Sequence, residues 1–422
     1  MGTEVKARDL IKEKERGLAE RFDAIDRVAE LNLNKVIAAF RENRVAQEHF
    51  NPCTGYGLDD TGRDTLDRVY ARVFECESAA VRVTMVSGTH AIACAILGNI
   101  RAGQRFLCLT GTPYDSLEPV LGGKRESRGS LTDLGAEYVE LDLRPEAMSD
   151  GELQEAIRSV GPVHVFYLQK SCGYSAERKT YSNKELAKLI DAARKVNATA
   201  PVIVDNCYGE FVEVGEPTSF GADLVVGSLI KNPGGGLAIA GGYIAGRKDL
   251  VENALIRHTA PGLGGHLGIN FGEGRLLYQG LFAAPTVVAQ ALKGVLLIAA
   301  VFEEAGLSVK PAAADDRFDI IQAIEFGDKN KLINFCRAMQ RFSPVDAHVA
   351  PEPYTMPGYE DPVVMAGGTF VEGATIELSC DGPIRPPYVA YLQGGLSYQH
   401  VKCYLEGALN LSFTGDLSFF PD

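Results

Sequence analysis

The sequence predicts an α/β protein, with a large domain built on a mostly parallel sheet and a smaller C-terminal α+β domain. Up to Arg247, short apolar segments typical of buried strands recur about every 30 residues, with segments typical of helices between them. This spacing indicates parallel βαβ units joined by right-handed crossovers. The chain has 422 residues, which favours two cores over one, and its pattern changes after Arg247.

An N-terminal arm and loop are expected over residues 1–64. Apolar side chains recur every three or four positions among charged ones up to about residue 45, which predicts helix. A glycine-rich joint, NPCTGYGLDDTGRD, then leads to a helix expected at about 65–74.

The large domain is expected over residues 65–284. Its apolar runs are continuous rather than alternating, as in strands that are covered on both faces. Helices are expected after Ser87, ahead of the strand at 138–141, and at 151–160 and 183–196. Strands are expected at 105–110, 138–141, 163–168, 201–206, 222–228 and 237–246.

The remaining residues, 285–422, are expected to form a connecting helix and the small domain. The helix, Pro285–Ala305, contains the run ALKGVLLIAAVF. A buried connecting helix explains this run better than a membrane span, because no stretch of about 18 uncharged apolar residues occurs. Strands are expected at 318–327, 363–368 and 375–380, and helices at 329–340 and 397–410.

Composition excludes several function classes. The net charge is −13, with a pI near 5.2, which argues against a nucleic-acid partner because phosphates require a basic surface. The nine cysteines are scattered without a CxxC pair, which predicts a reduced, cytoplasmic protein without a disulfide framework or a metal site. The 45 glycines suggest turns at which the backbone approaches a ligand.

Common catalytic motifs are missing from the sequence. It contains no GxGxxG, GxxxxGK[ST], GxSxG or HExxH. Dinucleotide-dependent dehydrogenases, P-loop enzymes, serine hydrolases and zinc hydrolases are therefore disfavoured.

Chemically suggestive residues occur at three places: the start of one predicted helix and the ends of two predicted strands. Ser87, Gly88 and Thr89 open a helix, whose N-terminus can bind an anion, although an ordinary N-cap would have the same sequence. Asp205 follows the strand at 201–206, at the edge where α/β sheets bind ligands; it could equally be a turn residue.

The third place is the end of the strand at 222–228, which carries Ser228 and is followed by Lys231. Burying an ammonium group is costly, so such a lysine is expected to have a lowered pKa that suits Schiff-base chemistry, unless it reaches solvent. Tyr114 follows another strand and could stack on a ring or anchor its loop. An anion site, a strand-end aspartate and a strand-end lysine together indicate pyridoxal 5′-phosphate.

Long segments of the chain resemble a known family. They are GYGLDDTGRDTLDRVYARVF, VSGTHAIACAI, TGTPYDSLEPVLG, the stretch from VDNCYGEF to IAGGYIAGR, and IELSCDGPIRPPY. They are similar to the methionine γ-lyase-like, or "aluminium resistance", carbon–sulfur lyases, a branch of the pyridoxal-phosphate enzymes of Cys/Met metabolism. The resemblance implies the fold-type I, aspartate aminotransferase-like architecture, with active sites at the interface of a homodimer and often a homotetramer.

The resemblance also implies roles for individual residues. Lys231 is the Schiff-base lysine, Asp205 the partner of the pyridine nitrogen, and Tyr114 the stacking ring. The phosphate is held by Ser87, Gly88, Thr89 and Ser228, and by Tyr56 and Arg63 of the neighbouring subunit.

Arg385, within DGPIRPPY, is the candidate for binding the substrate α-carboxylate. A guanidinium group can bind a carboxylate through two hydrogen bonds. A structural ion pair is the alternative role for this arginine.

Two loops depart from the family pattern. Residues 169–174 read QKSCGY where an arginine-bearing QRSRGYS-like loop is expected, and NPCT precedes GYG with Leu58 at an aromatic position. These loops are expected near the substrate, so the usual sulfur amino acid is less secure than the cofactor.

The sequence therefore predicts a lyase that eliminates a β- or γ-substituent, a thiolate or a halide, from an L-amino acid. Lys231 would remove the α-proton, and Tyr114 could protonate the leaving group. A γ-replacement enzyme or an aminotransferase would use the same residues, including in the biosynthesis of unsaturated or alkynyl amino acids. A non-catalytic pyridoxal-phosphate protein in metal tolerance is a more remote alternative, and an NAD enzyme the remotest.

Overall fold

Two β-sheets organise the protein. The structure, a computed structural model, describes residues 2–124, 127–175, 177–356 and 359–420. The outer ends of the predicted domains, Met1 and Asp422, lie outside these residues. One sheet has seven strands and belongs to the first two thirds of the chain, and the other has five strands and belongs to the last third.

The seven-stranded sheet has the order β1-β7-β6-β5-β4-β2-β3. Strands β2 to β6 pair in parallel, which confirms the predicted mostly parallel sheet, whereas β7 is antiparallel to both of its neighbours. The strands are β1 (Ser78–Arg82), β2 (Arg105–Cys108), β3 (Glu137–Glu140), β4 (Val165–Gln169), β5 (Val202–Asp205), β6 (Leu224–Ser228) and β7 (Gly242–Gly246).

Two strands of this sheet differ from the prediction. The sequence analysis did not predict β1, which is an edge strand that pairs with β7. The strand expected at 237–246 begins only at Gly242, and it runs antiparallel rather than continuing the βαβ pattern. The residues between the glycine-rich turn Gly234–Gly236 and Gly242 form no strand.

Helices cover both faces of the large sheet. Side-chain oxygens cap several of them: Asp60, Ser87, Ser149 and Ser182 each accept a hydrogen bond from a backbone N–H of the first turn. Before β3 the predicted helix is reduced to one turn. The helices are α3 (Thr61–Val73), α4 (Gly88–Gly98), α5 (Glu118–Leu121), α6 (Asp150–Ser159), α7 (Asn183–Val196) and α8 (Lys248–His258).

The connecting helix, α9 (Gly274–Glu304), begins eleven residues earlier than predicted. Pro285 lies inside it rather than at its start. By length and composition α9 could cross a membrane, but 78% of its most apolar window is buried inside the protein. It is therefore a core helix, as the sequence indicated.

The five-stranded sheet is antiparallel, with the order β10-β11-β12-β9-β8. The sequence analysis missed β8 and β12, and the strand expected at 375–380 is a 3₁₀ turn followed by β11. The elements are β8 (Ser308–Lys310), β9 (Ile321–Glu325), α10 (Lys329–Arg341), β10 (Val363–Ala366), β11 (Ser379–Pro383), β12 (Val389–Gln393) and α11 (Tyr398–Thr414).

The N-terminal arm consists of α1 (Gly2–Gly17) and α2 (Ala19–Glu42), and it packs on the same chain. Lys402 on α11 contacts Glu15 at 2.8 Å, and Lys293 on α9 contacts Asp26 at 2.6 Å. Asn32 is buried and donates hydrogen bonds to the backbone oxygens of Phe211 and Glu213. These contacts fix the arm to the connecting helix and to the segment that follows β5.

Candidate active site

A cavity of about 250 Å³ opens beyond the carboxyl ends of β4, β5 and β6. The topology brings the predicted residues together here because neighbouring parallel strands end at the same edge of the sheet. Seven predicted residues line the cavity: Ser87, Gly88, Thr89, Tyr114, Asp205, Ser228 and Lys231.

One end of the cavity is formed by the first turn of α4. Ser87 is the N-cap, and its Oγ accepts a hydrogen bond of 3.1 Å from the His90 N–H, so the N-cap role considered above is confirmed. A Cβ at Gly88 would come within 3.0 Å of the Ser228 Cβ. A larger residue would thus separate the helix N-terminus, with its partial positive charge, from the end of β6.

Asp205 ends β5 and is 2% exposed. Its Oδ1 accepts a hydrogen bond from the Cys207 N–H at 3.0 Å, and its Oδ2 accepts one from the Tyr167 hydroxyl at 3.3 Å. Burial raises the pKa of this carboxyl, and the nearby Lys231 ammonium acts against that rise. Asp205 is therefore a fixed buried acid rather than a solvated turn residue.

Lys231 lies three residues beyond the end of β6. Its Nζ lies 3.9 Å from the centroid of the Tyr208 ring, which places the amine inside the cavity rather than in solvent. Burial acts to lower the pKa of this amine, but the acidic groups Cys207, Tyr208 and Asp205 outweigh it, and the net pKa lies well above the ordinary value. The prediction of a lowered pKa is thus wrong for the protein alone, because the cavity that buries the amine also supplies its counter-charge.

Tyr114 reaches the cavity from the loop after β2. Its hydroxyl lies 3.1 Å from the Thr89 Oγ1, and its backbone N–H donates to the Gln169 Oε1 at 3.1 Å. Burial, with a smaller contribution from Asp205, raises the pKa of this phenol well above its usual value. Tyr114 therefore stays protonated at neutral pH, so its hydroxyl can donate a proton but not accept one as a phenolate.

The sequence analysis did not single out several other residues of the cavity. Tyr208 lies beneath Lys231 with a backbone φ of +71°, a conformation that L-residues rarely adopt. Tyr174 from the loop after β4 contacts the Tyr208 hydroxyl, oxygen to oxygen, at 3.1 Å. Tyr208 lies within the motif VDNCYGEF, three residues after Asp205, and that position was the available signal. Tyr174 belongs to the loop 169–174, which was expected near the substrate, but its contact with Tyr208 could be found only from the fold.

The structure keeps Tyr56 and Arg63 outside this cavity. Tyr56 is 74% exposed, whereas Arg63 is 3% exposed and donates hydrogen bonds of 2.8 Å to the backbone oxygens of Gly57 and Gly268. Within one chain Arg63 fastens the glycine-rich loop to the segment before α9. The predicted contact of these residues with a neighbouring subunit stays a prediction.

Arg385 lines a second cavity of about 590 Å³, next to the first. Its Nη2 donates to the Tyr174 backbone oxygen at 3.2 Å, and its Nη1 lies 3.4 Å from the Asp361 Oδ2. The guanidinium therefore forms the ion pair with Asp361 that was the alternative role, and the binding of a substrate α-carboxylate by Arg385 stays a prediction. Arg178 lines both cavities.

The unusual loop after β4 divides its side chains between core and cavity. Lys170 is fully buried, and its Nζ contacts the Asn183 Oδ1 at 2.6 Å and the Glu213 Oε2 at 2.7 Å. Burial raises the pKa of the Cys172 thiol to about 12, so this cysteine is an inert thiol. Gln169, Ser171, Gly173 and Tyr174 line the cavity.

Among the described residues, no cluster of histidine, cysteine and acidic side chains is arranged to hold a metal ion.

Known proteins share this fold and sequence. The chain is 47% identical to the Bacillus subtilis protein YnbB over 92% of each chain. A solved structure from Clostridium novyi, called a carbon–sulfur lyase involved in aluminium resistance, is 42% identical with a TM-score of 0.90, over 96% of this chain and 95% of that one.

A more distant structure, the pyridoxal-5′-phosphate dependent protein YhfS from Escherichia coli, has a TM-score of 0.59 at 18% identity, over 91% of this chain and 96% of that one. This likeness shows the fold, which is the fold-type I architecture of pyridoxal-phosphate enzymes. The family model for methionine gamma-lyase matches residues 7–413. The chain therefore belongs to the methionine gamma-lyase family, as the resemblance of its motifs indicated.

Proposed function

We propose that this protein is a pyridoxal-phosphate-dependent lyase that eliminates a β- or γ-substituent from an L-amino acid. The observation that carries the proposal is the placement of the partly buried Lys231 and the buried Asp205 on one cavity beside the N-terminus of α4. Family membership and the name of the Clostridium relative support a carbon–sulfur lyase.

The residues of the cavity fit pyridoxal 5′-phosphate. Lys231 supplies the amine that such a cofactor needs, Asp205 a buried carboxylate for its pyridine nitrogen, and Tyr114 an aromatic ring. Gly88 leaves the N-terminus of α4 open beside Ser228, where backbone N–H groups and hydroxyls suit a phosphate. When bound, the cofactor would supply an aldehyde for the amino group and a ring that accepts electrons from the substrate carbon.

Lys231 and Tyr114 would then divide the proton transfers. The Lys231 Nζ accepts the proton from the substrate α-carbon, and in a γ-elimination it moves a β-proton as well. Tyr114 keeps its proton because burial raises its pKa, so it can donate that proton to the departing group. Asp205 stays fixed by the Cys207 N–H and holds the negative charge that the ring nitrogen requires.

The leaving group is proposed to be a thiolate, with a halide as the alternative. The thiolate is favoured by the family match and by the Clostridium relative. The halide stays open because this chain has Lys170 and Cys172 in place of an arginine-bearing loop, and Lys170 is directed into the core. The loop 169–174 thus supplies no arginine to the cavity, which Arg178 lines instead.

We also propose a homodimer at minimum, and a homotetramer as the complete assembly, in the cytoplasm. Tyr56 and Arg63 would then reach the phosphate of the neighbouring subunit. The nine cysteines are free, which suits a reducing compartment.

The binding test uses the purified protein with added pyridoxal 5′-phosphate. We expect a yellow protein in which borohydride attaches the cofactor to Lys231, as found by peptide mass spectrometry. The Lys231→Ala variant should bind pyridoxal 5′-phosphate without becoming covalently attached to it, and it should convert no substrate. Unchanged activity of Lys231→Ala, or attachment at another lysine, would exclude the proposed role.

The reaction test uses amino acids with thiol or halide groups on the β- or γ-carbon. If the enzyme catalyses elimination, the substrate alone should release ammonia, a keto acid and the thiol or halide. For a halide substrate, the products could instead be an unsaturated amino acid and the halide. If turnover requires an added nucleophile, the enzyme is a replacement enzyme, and if it requires an added keto acid, it is an aminotransferase. If cofactor binds and no amino acid reacts, a non-catalytic role is favoured.

A further inference from the structure

A third cavity lies between the N-terminal arm and the rest of the chain. It has a volume of about 480 Å³ and shares no lining residue with the two cavities described above. Helix α2, helix α9, the segment that follows β5 and the segment that precedes β9 form its wall. A molecule in this cavity would therefore contact four parts of the chain that are distant in sequence.

Most of this wall is apolar. Val28 on α2, Val212 after β5, Leu292 and Leu296 on α9, and Phe318 before β9 all line the cavity. Val212, Leu292 and Leu296 are at most 6% exposed, so the floor of the cavity is firmly packed. The volume falls within the range of about 300–1,000 Å³ that is usual for sites of small organic ligands.

One cation on the wall lacks a counter-charge. The Arg317 Nη2 donates a hydrogen bond to the Gln322 Oε1 at 2.6 Å, whereas its Nε and Nη1 are buried without a hydrogen-bond partner among the described residues. Burial lowers the pKa of Arg317 to about 10, although the nearby Asp319 carboxylate acts against this shift. A guanidinium group in such a place is costly unless an anion approaches it.

Arg21 on α2 is a second cation on the wall. Its Nη1 and Nη2 donate to the backbone oxygens of Ala313 and Asp315, which orient the guanidinium group without cancelling its charge. Glu20 and Asp316 line the cavity as well, but both are exposed, so water screens their charges. The cavity thus combines two cations beside an apolar wall with two acids at its solvent-exposed rim.

Two parts of the wall continue into the candidate active site. Asp319, two residues after Arg317, accepts a hydrogen bond of 2.7 Å from the Ser171 Oγ, and Ser171 lines the active-site cavity. Phe211, on the wall, lies three residues after Tyr208, which also lines the active-site cavity. A molecule bound here would contact both of these segments.

We infer that this cavity is a second ligand site, which binds a small carboxylate with an apolar side chain, a class that includes the apolar amino acids. The carboxylate offsets the charges of Arg317 and Arg21, and the side chain packs on the apolar wall. In an amino acid, the ammonium group lies toward Glu20 and Asp316 at the rim. The inference goes beyond the proposed function and does not depend on it.

The test places a fluorescent reporter on the cavity wall. The chain contains no tryptophan, so Phe318→Trp introduces a single indole at this cavity and none at the active site. The probes are L-leucine, 4-methylpentanoate, which lacks the amino group, and 3-methylbutylamine, which lacks the carboxylate. The purified protein is titrated with each probe, and calorimetric titration of the protein without the reporter gives Kd independently.

We expect leucine and 4-methylpentanoate to shift the tryptophan emission to saturation, and 3-methylbutylamine to leave it unchanged. Arg317→Gln should raise the Kd of both carboxylates by about 10-fold or more, because it removes the cation that a carboxylate would meet. Tighter binding of leucine would identify an amino acid as the ligand, and equal binding would identify a carboxylic acid.

The matched control is Arg27→Gln, which removes the same charge from an exposed position of α2 outside the cavity. It should keep Kd within about twofold. Ala24→Phe adds bulk to the cavity from the exposed side of α2 without a change of charge, and it should weaken binding as well.

Three outcomes would overturn the inference. The first is that neither carboxylate binds the wild type. The second is that Arg317→Gln and Ala24→Phe both bind the carboxylates as tightly as Arg27→Gln does. The third is binding by calorimetry that leaves the tryptophan emission unchanged, which would place the ligand in another cavity.

Discussion

Asp205 is buried and Lys231 is partly buried, and the two groups of opposite charge face the same small cavity. A charge in such a place needs a partner, and each of these two groups shifts the pKa of the other in the direction that favours the charged form. Tyr114 and Tyr208 complete the cavity with phenols whose pKa values are raised by burial. The site is therefore rich in groups that hold protons and poor in groups that lose them.

Tyr114→Phe should separate the two proposed leaving groups. The variant keeps the ring and removes the proton donor, so we expect kcat for a thiolate leaving group to fall about 100-fold or more. A halide leaves without protonation, and its kcat should change only a few-fold.

The matched control for this prediction is Tyr138→Phe. Tyr138 lies on β3 and its hydroxyl donates to Glu140, away from the cavity. Equal losses of kcat for thiolate and halide substrates in Tyr114→Phe would contradict the acid role.

Glu210 should make the stability of the protein depend on pH. It is fully buried, its Oε1 accepts from the Tyr243 hydroxyl at 2.8 Å, and burial raises its pKa to about 8. Between the unfolded pKa of about 4.5 and this value, the folded state binds the extra proton, so stability falls as pH rises, by at most about 1.4 kcal/mol per pH unit.

Glu210→Gln should remove this dependence. The free energy of unfolding by urea, measured from pH 5 to pH 8, should decline less in the variant, so the difference between the two proteins grows with pH. A difference that stays constant over this range would show that Glu210 does not titrate there.

At the scale of elements, the turn that carries Lys231 is set by contact with α9. A Cβ at Gly280 would lie 2.3 Å from the Gly234 backbone oxygen, and one at Gly235 would lie 2.4 Å from the Gly280 oxygen. These glycines let one backbone approach another. The expectation that the glycines mark a ligand is therefore wrong here, since backbone packing is the reason for them.

Gly280→Ala should destabilise the protein and disturb the site. Alanine favours helix over glycine, but the new methyl group meets backbone that cannot move aside, so we expect a net loss of about 1–3 kcal/mol in the free energy of unfolding. Because the displaced turn holds Lys231, kcat should fall as well.

Gly151→Ala on α6 is the control for this prediction. Nothing lies within 4 Å of a Cβ there, so stability should stay equal or increase by up to about 1 kcal/mol. If both substitutions change the free energy of unfolding equally, backbone packing at Gly280 is not the cause of the loss.

At the scale of the whole molecule, the cavity draws on both domains. Met365 on β10 and Thr375 ahead of β11 line it together with the strand ends of the large sheet. Tyr56, in contrast, is exposed on the glycine-rich loop. An exposed aromatic side chain next to a fixed loop is a candidate for contact with a second subunit.

Mixed subunits test whether Tyr56 acts across an interface. We expect Tyr56→Ala and Lys231→Ala to be weakly active or inactive alone. Unfolded and refolded together, they should recover up to about a quarter of the wild-type activity, because half of the dimers would hold one intact site of the two.

The control pair for the mixing experiment is Asp205→Asn with Lys231→Ala. Both residues line the cavity of one chain, so mixing them should restore nothing. No recovery with Tyr56→Ala would place its role within its own subunit.

Much of the fold was predictable because strands and helices leave local signals. Five parallel strands and the helices between them follow from continuous apolar runs and amphipathic segments. The edge strands β1 and β8 and the central strand β12 were missed, and Pro285 was taken for a helix start. A short strand is decided by the partner it pairs with, and a proline inside a helix is tolerated where tertiary packing outweighs local propensity.

The sequence by itself determined the α/β class and the grouping of Asp205 and Lys231, since residues that end neighbouring parallel strands must meet at one edge of the sheet. Only the tertiary structure decided that Tyr208 lies beneath Lys231, that the Tyr174 hydroxyl meets that of Tyr208, and that Lys231 has a raised pKa. These features depend on contacts between residues far apart in the chain, and on the burial and counter-charges that such contacts create.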